Sequence, residues 1–232
     1  MYKRILLKLS GEALAGENGF GLDLSKAKDA GRQVIAAKET GAQIGIVIGG
    51  GNFWRGRSSE GIDRVKADQI GMLATVMNAI YVSEIFRSRG METEIFTPFA
   101  CGTMTKLFSK DAANEAFKAG KVVFFAGGTG HPYFSTDTGI VLRAIEMEAD
   151  EILLAKNIDG VYDSDPAKNP DAKKFDTISI DEVVEKKLGV IDLTASALCA
   201  DNRVPLAVFS LAGEMSIYKA LKGEINGTRI TV

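Results

Sequence analysis

Few residues of this 232-residue chain invite redox or metal chemistry. Its two cysteines, Cys101 and Cys199, lie far apart and show no CxxC or zinc-ligand spacing. Its one histidine, His131, cannot build a multi-histidine metal site. With no disulfide framework, the chain reads as a protein of a reducing compartment, most simply the cytoplasm. Basic charge is not in surplus. Lys and Arg total 28 against 30 Asp and Glu, giving a net charge of −2. That balance, with a pI near 5.6, argues against a general nucleic-acid binder. No apolar run reaches the ~18 residues of a membrane span. The opening MYKRILLKLSGE has basic residues and then an apolar stretch, too short for a secretion signal and without a small-residue cleavage site. Five prolines and a charged fraction of 25% exclude a low-complexity or disordered chain.

Glycine is in surplus, at 25 residues, about 11% against a usual ~7%. With 46% hydrophobic residues, the chain is long enough for one large domain with a real core. No linker or internal repeat interrupts it, so a single domain over residues 1–232 is expected. Any division into halves would fall near Ile145–Glu151. Apolar runs predict strands at Arg4–Leu9, Ile44–Ile48, Thr93–Thr97, Val122–Ala126, Glu151–Ala155, Leu206–Ser210 and Thr228–Val232. Runs as continuous as IGIVIG and VVFFAG fit strands buried on both faces.

Helical patterns lie between them. Ser25–Thr40 carries Ala27, Ala30, Val34 and Ala37 on one stripe, with Ser25 as N-cap. Lys66–Arg87 carries Ile70, Leu73, Met77 and Ile80, a stripe that suits either core packing or an oligomer surface. Asp111–Ala119, Thr136–Glu148, Asp181–Lys187, Leu193–Asn202 and Ser216–Leu221 follow. The alternation predicts an α/β fold, a three-layer α/β/α sandwich around a mostly parallel sheet.

Many glycines sit just past a strand's carboxyl end: Gly11, Gly49–Gly51 and Gly127–Gly130. Ligands of open α/β sheets bind at those ends. Three such loops on one edge point to a ligand with phosphates, held by backbone N–H groups and helix N-termini. GxxxxGK[ST], a GxGxxG opening a helix after the first strand, and GxSxG are all absent. The site is therefore neither a P-loop, a Rossmann dinucleotide pocket nor a hydrolase elbow.

Several side chains could carry chemistry there. Lys8, in ILLKLSG, either neutralises charge on a transferring phosphoryl group or snorkels from the strand end. Arg55 follows the triple glycine in GGGNFWRGR, and a guanidinium suits bidentate phosphate contact. Arg57 and Arg64 read equally as solvated surface charges. Asp68 lies in the first turns of a long helix, where an acid complements the dipole; the alternative is a hydrogen bond to ribose hydroxyls. In TGHPYFSTD, Ser135 or Thr136 is an N-cap and Asp137 a first-turn acid, or the segment wraps a substrate while Asp137 orients a lysine. His131 reads as a polar loop contact ahead of a general base. In NIDGVYDSDP the Asp-Gly and Asp-Pro pairs are turn signals, while Tyr162 suits stacking on an adenine and Asp165 accepting from its ribose. Asp192, in VIDLTA, reads first as a helix cap.

Taken in order, KLSGEAL, VIGGGNFWRG, DQIGMLATVMNA, GTGHPYFSTDT, EADEILLAKNIDGVYDSDP and VIDLTA resemble the bacterial uridylate (UMP) kinases of the amino acid kinase superfamily. The resemblance covers nearly the whole chain. KLSGE and GGG indicate the superfamily; GTGxPxFSTD and KNxDGVY narrow it to UMP kinases. The resemblance implies Mg²⁺-dependent transfer of the γ-phosphoryl group of ATP to UMP, giving ADP and UDP, in pyrimidine nucleotide synthesis.

It further implies residue roles. Lys8, Leu9, Ser10 and Gly11 would hold ATP phosphates, with Lys8 stabilising the transition state. Gly51 and Arg55 would lie on the ATP side, and Asn157, Tyr162 and Asp165 would form the adenosine pocket. Gly50 and Asp68 would contact UMP, and Thr129, Gly130, His131, Pro132, Tyr133, Phe134, Ser135 and Thr136 would grip the uracil and its nucleotide. Asp137 would orient Lys8, and Asp192 would lie near the transfer centre. Magnesium would be held mainly by the nucleotide phosphates. The family's homohexamer, GTP activation and UTP inhibition are implied too, with the loop Gly16, Glu17, Asn18, Gly19, Phe20 and Gly21 resembling the one tied to GTP. No nucleic acid or membrane partner is implied. One departure is His131, where the family usually has Asn: a side-chain contact to the base would bring pH dependence near about pH 6–7, a backbone contact none, and the backbone reading is preferred. The rival readings are a small-acid kinase of the same superfamily and a non-catalytic nucleotide- or metal-storage relative. The nucleotide segment disfavours the first, and the presence of Lys8, Arg55 and Asp137 disfavours the second.

Overall fold

The computed structural model describes residues 2–56, 60–189 and 191–232, with Asn18 through its backbone; Arg57 lies outside the described residues. The strands are β1 (Arg4–Leu9), β2 (Gln43–Ile48), β3 (Thr93–Thr97), β4 (Lys106–Leu107), β5 (Val122–Phe125), β6 (Glu151–Lys156), β7 (Val161–Tyr162), β8 (Lys174–Phe175), β9 (Thr177–Ser179), β10 (Leu206–Ser210) and β11 (Gly227–Thr231). The helices are α1 (Gly11–Leu14), α2 (Leu24–Lys38), α3 (Arg64–Arg87), α4 (Lys110–Lys118), α5 (Thr136–Glu146), α6 (Ile180–Glu185), α7 (Leu193–Asn202) and α8 (Ser216–Leu221).

Among the described residues, nine strands form one sheet in the order β4-β3-β5-β2-β1-β6-β10-β11-β9. Every pairing in it is parallel except β10–β11. β7 and β8 form a small separate hairpin. RILLKL becomes the central strand because its leucines and isoleucine are buried alternately on both faces. Ile5, Leu7 and Leu9 pack with α2, α3 and α8 in one core. Leu6 packs with α4, α5, α6 and α7 in the other. Helices thus cover both faces of a mostly parallel sheet, the expected three layers.

All seven predicted strands form. The strands not predicted, β4, β7, β8 and β9, have two or three residues each, too few for a hydrophobic period. One local expectation is corrected. The N-cap of α2 is Asp23, not Ser25: its carboxylate accepts from the N–H groups of Ser25 and Lys26 at 2.7 and 3.3 Å. One carboxylate thereby satisfies two orphan donors, and the Ser25 hydroxyl donates to the same oxygen at 2.6 Å.

In α3 three of the four stripe residues, Ile70, Leu73 and Met77, face outward at 37%, 53% and 48% exposure, while Ile80 is partly buried against the core. The inner face is instead Ala67, Ala74, Ala79, Val82 and Phe86. Small residues face inward because the loop after β2 approaches α3 closely: a Cβ on Gly50 would lie 2.8 Å from the Gly71 carbonyl oxygen and 3.0 Å from the Ala74 Cβ. By length and composition α3 would pass as a membrane span. Its inner face packs fully on the sheet core, with Val82 and Phe86 inaccessible, so it is a packed helix of this fold.

Candidate active site

β5, β2, β1 and β6 are neighbours and parallel, so the loops leaving their carboxyl ends share one edge. A Cβ on Gly11 would lie 2.4 Å from the Gly49 carbonyl oxygen. Only glycine allows the turn after β1 and the loop after β2 to touch in this way. A buried amide pair fixes the second loop. Asn52 and Asn78 exchange hydrogen bonds at 3.0 and 2.7 Å, and Asn78 Nδ2 also donates to the Gly49 carbonyl at 2.7 Å. Gly127 N–H donates to Thr75 Oγ1 at 2.8 Å, tying the loop after β5 to α3.

The charged centre forms between β1 and two helix N-termini. Lys8 makes a short ion pair with Asp137 in the first turn of α5, and both side chains are largely shielded from water. Ser135 caps α5, accepting from the N–H groups of Asp137 and Thr138 at 3.0 and 3.4 Å. Asp192 caps α7, accepting from Ala195 N–H at 2.9 Å. The two caps are joined: the Ser135 hydroxyl donates to Asp192, and the Thr138 hydroxyl reaches the same carboxylate at 3.2 Å. Both helices therefore aim their positive ends at this edge of the sheet.

Two cavities flank the centre. One, of about 300 Å³, is lined by Gly50, Gly51, Arg55, Asp68, Thr129, His131, Phe134, Ser135 and Thr136 among the predicted residues. The other, of about 470 Å³, is lined by Tyr162 and Asp165 with Gly160 and Lys156. Ser135 belongs to the first cavity and bonds Asp192. Lys156 belongs to the second and interacts electrostatically with Asp137, Lys8 and Asp192. The charged cluster is thus connected to both cavities.

Some predicted residues stand elsewhere. Gly51 and Arg55, expected on the ATP side, line the same cavity as Asp68 and the Thr129–Thr136 segment. Arg55 pairs with Glu12 of α1, which links that cavity to the turn after Lys8. Asn157 and Leu9 line a third hollow, beside α1 and α2. Ser10 precedes α1 at its N-cap position, and Gly11 opens the helix. Asp68 Oδ2 accepts from Arg64 Nε at 2.9 Å and from Tyr133 N–H at 2.8 Å. Arg64 also lies over the Tyr133 ring at 5.2 Å, so it is not merely a solvated charge. Tyr133 takes a φ of 70°, sparsely populated for a non-glycine residue, and the Asp68 bond holds it there. Pro132 lies between Tyr133 and His131. His131 N–H donates to Thr129 Oγ1 at 3.2 Å, a main-chain bond that shapes the loop. Gly130 turns with a φ of 84° against Pro98.

Tyr162 donates its hydroxyl to Asp159 at 2.7 Å; that bond raises its pKa from the ordinary value. Asp165 caps the next turn, accepting from Ala167 N–H at 3.0 Å. The Gly16–Gly21 loop is a 3₁₀ turn through Asn18 followed by an exposed Phe20. Phe20 packs edge-on against Phe53 at 5.5 Å, and Gly21 exchanges hydrogen bonds with Asn52 at 3.0 and 2.7 Å. Sequence reasoning did not single out Lys156, Glu12 or Trp54, which lines the first cavity. For Lys156 a signal existed: like Lys8, it is a lysine at the exit of an apolar strand.

A model of the amino acid kinase family matches residues 3–210, and the chain belongs to that family. Solved structures narrow the likeness. A UMP kinase from Bacillus anthracis is 35% identical, covers 99% of this chain and 96% of its own, and superposes with a TM-score of 0.95. A UMP kinase from Ureaplasma parvum is 33% identical over 100% of both chains, with a TM-score of 0.94. A uridylate kinase from Archaeoglobus fulgidus is 28% identical over 98% of this chain and 99% of its own, with a TM-score of 0.75. The likeness to bacterial uridylate kinases read from the motifs therefore extends over the full length and the full fold.

Proposed function

We propose that this chain is a UMP kinase, transferring the γ-phosphoryl group of ATP to UMP and releasing ADP and UDP. The observation that carries the proposal is the Lys8–Asp137 and Ser135–Asp192 cluster, connected to one cavity through Ser135 and to the other through Lys156. Two cavities meeting at a charged centre suit two nucleotides reacting end to end. UMP takes the first cavity, on Gly50, Asp68 and the Thr129–Thr136 segment. ATP takes the second, with its adenosine on Tyr162 and Asp165, Asn157 at the neighbouring hollow beside α1 and α2, and its phosphates toward Lys8–Gly11 and Gly51.

A phosphate oxygen of UMP attacks the γ-phosphorus, and the bond to the bridging oxygen of ADP breaks. Such transfer asks for positioning and charge stabilisation rather than a covalent nucleophile. Lys8 neutralises charge on the moving group, oriented by Asp137. The capped N-termini of α5 and α7 add positive potential, and Arg55 holds phosphate at the mouth of the first cavity. Asp192 fixes Ser135 and so the wall of the acceptor site. When bound with ATP, magnesium would supply charge that spreads the negative charge of the phosphates. Asp137 and Asp192 are the nearby acids, engaged by Lys8 and Ser135, so the ion would be held mainly by phosphate oxygens.

The outward stripe of Ile70, Leu73 and Met77 supports assembly into a homo-oligomer, which the family resemblance makes a hexamer. The Gly16–Gly21 loop is the effector element, coupled to the acceptor loop through Phe53 and Asn52. GTP activates and UTP inhibits. The enzyme works in the cytoplasm, in pyrimidine nucleotide synthesis. The test is ADP release from ATP and Mg²⁺ with UMP, CMP, dTMP, AMP, acetylglutamate and carbamate, each with and without GTP. Turnover confined to UMP is expected. Turnover with a small acid alone, or with no acceptor, refutes the substrate assignment.

A further inference from the structure

Lys156 ends β6, just past its pairing with β1. Lys8 stands opposite Leu154 in that parallel register. Two residues on, Lys156 points to the same side of the sheet as Lys8, the side that α5 and α7 cover. Its side chain lines the second cavity together with Tyr162 and Asp165. A lysine set against a sheet core loses hydration, and burial pulls the Lys156 ammonium below the usual lysine range; Asp137 and Asp192 oppose that shift and Lys8 adds to it. Lys156 thus shares the two carboxylates with Lys8 while facing a different cavity.

Asp137 is paired with Lys8, and Asp192 accepts from Ser135, Thr138 and the α7 N–H, so Lys156 supplies the second of the two positive charges that balance this pair of acids, and it does so at the wall of the second cavity. Without a P-loop, a donor triphosphate needs cations supplied one side chain at a time. We propose that Lys156 is a second catalytic cation, contacting the terminal phosphates of the donor nucleotide from the cavity side while Lys8 acts from β1. The inference rests on the reading of the second cavity as the donor site. Lys8 and Lys156 would then hold the phosphate chain from two adjacent strands, aligned by the same pair of acids.

The test compares the full-length parent with Lys156→Met and Lys156→Arg, titrating adenosine, ADP and Mg²⁺-ATP by calorimetry and measuring steady-state kinetics. Lys156→Met is expected to lose about tenfold or more in affinity for ADP and ATP, the scale of a lost charge-assisted contact, and to keep its affinity for adenosine. Its kcat falls as well, the KM for UMP stays near the parent's, and Lys156→Arg recovers most of the ATP affinity. If Lys156→Met does not fold, Lys156→Gln provides the same comparison. Unchanged ADP and ATP affinities overturn the proposal. An equal loss for adenosine also overturns it, because a cavity wall rather than a phosphate contact would then have been removed. If the parent itself binds neither adenosine nor ATP, the donor reading of the cavity falls, and this proposal with it.

Discussion

Replacing Lys8 tests the proposed chemistry most directly. The side chains of Lys8 and Asp137 are 15% and 16% exposed, so their interaction is felt well above its strength in bulk water. Lys8→Ala leaves the largely shielded Asp137 carboxylate without its partner, so the folded state should lose more than an exposed pair contributes, up to about 3 kcal/mol. The transition state loses more. A preorganised donor aimed at developing charge is commonly worth about 3–4 kcal/mol, which predicts a fall in kcat of about a hundredfold to a thousandfold. Asp137→Asn keeps the lysine but loosens its aim, so its effect should be smaller in kcat. Because the two residues act as one unit, the double variant should be about as slow as Lys8→Ala alone. The assay is ADP release at saturating UMP and Mg²⁺-ATP, with the melting curve as a check on folding. A folded Lys8→Ala protein with turnover within about threefold of the parent refutes the role of Lys8. Strict multiplicativity of the two single effects refutes the unit.

Asn78→Ala should lower the melting temperature by about 5–10 °C, because it strands the Gly49 carbonyl and the Asn52 amide at a cost of about 2–3 kcal/mol; a change under about 1 °C would show that the pair contributes nothing. Gly50→Ala should raise the KM for UMP severalfold, since its Cβ would lie 2.8 Å from the Gly71 carbonyl oxygen. Gly213→Ala, whose Cβ would make only an ordinary contact with Ser216 at 3.6 Å, is the control; equal effects from the two variants would remove the steric argument. Burial pushes the Cys199 thiol up to about 12 from its ordinary 9.0. The folded state therefore holds that proton longer than the unfolded state, and the thiol's contribution to stability is present below pH 9 and lost as pH rises toward 12. A thiol reagent near neutral pH should modify half-exposed Cys101 alone until denaturant is added, and prompt modification of both cysteines would contradict the burial.

The main strands were legible because continuous Ile, Leu and Val runs have one favourable place in an α/β fold, between two layers of helix. The stripe of α3 was legible as a stripe but not as to its side. Helical periodicity gives a face, and here the inner face is small only where the glycine loop after β2 meets Gly71 and Ala74, with Val82 and Phe86 filling the core further along. Asp192 shows a different limit. Its position before a helix correctly indicated a cap, but nothing local indicated that the same carboxylate would also accept from Ser135 across 57 positions of sequence. Arg64 looked like a surface charge because its partners, Asp68 and the Tyr133 ring, include one far along the chain. Lys156 was overlooked although its setting repeats that of Lys8, because it adjoins a turn motif that drew attention to Asn157 and Asp165.

The elements that hold each half of the site explain how one edge of a sheet can serve both precision and exchange. The proposed transfer centre lies on β1 and the capped first turns of α5 and α7, where hydrogen bonds and the Lys8–Asp137 pair fix both the helix ends and the side chains between them. Groups held this way keep their geometry as substrates come and go, which electrostatic catalysis requires. The proposed acceptor wall is built differently. It is a loop with an exposed Tyr133 and Phe134, a left-handed backbone at Tyr133, and a tether through Asp68 to α3. Asp68 spends its Oδ2 on Arg64 and the Tyr133 N–H, so a ribose hydroxyl that sought the same oxygen would compete with the loop's own tether. Binding at the acceptor wall and rearrangement of the Thr129–Thr136 segment would then be one event, while the Lys8–Asp137 pair stays fixed behind it.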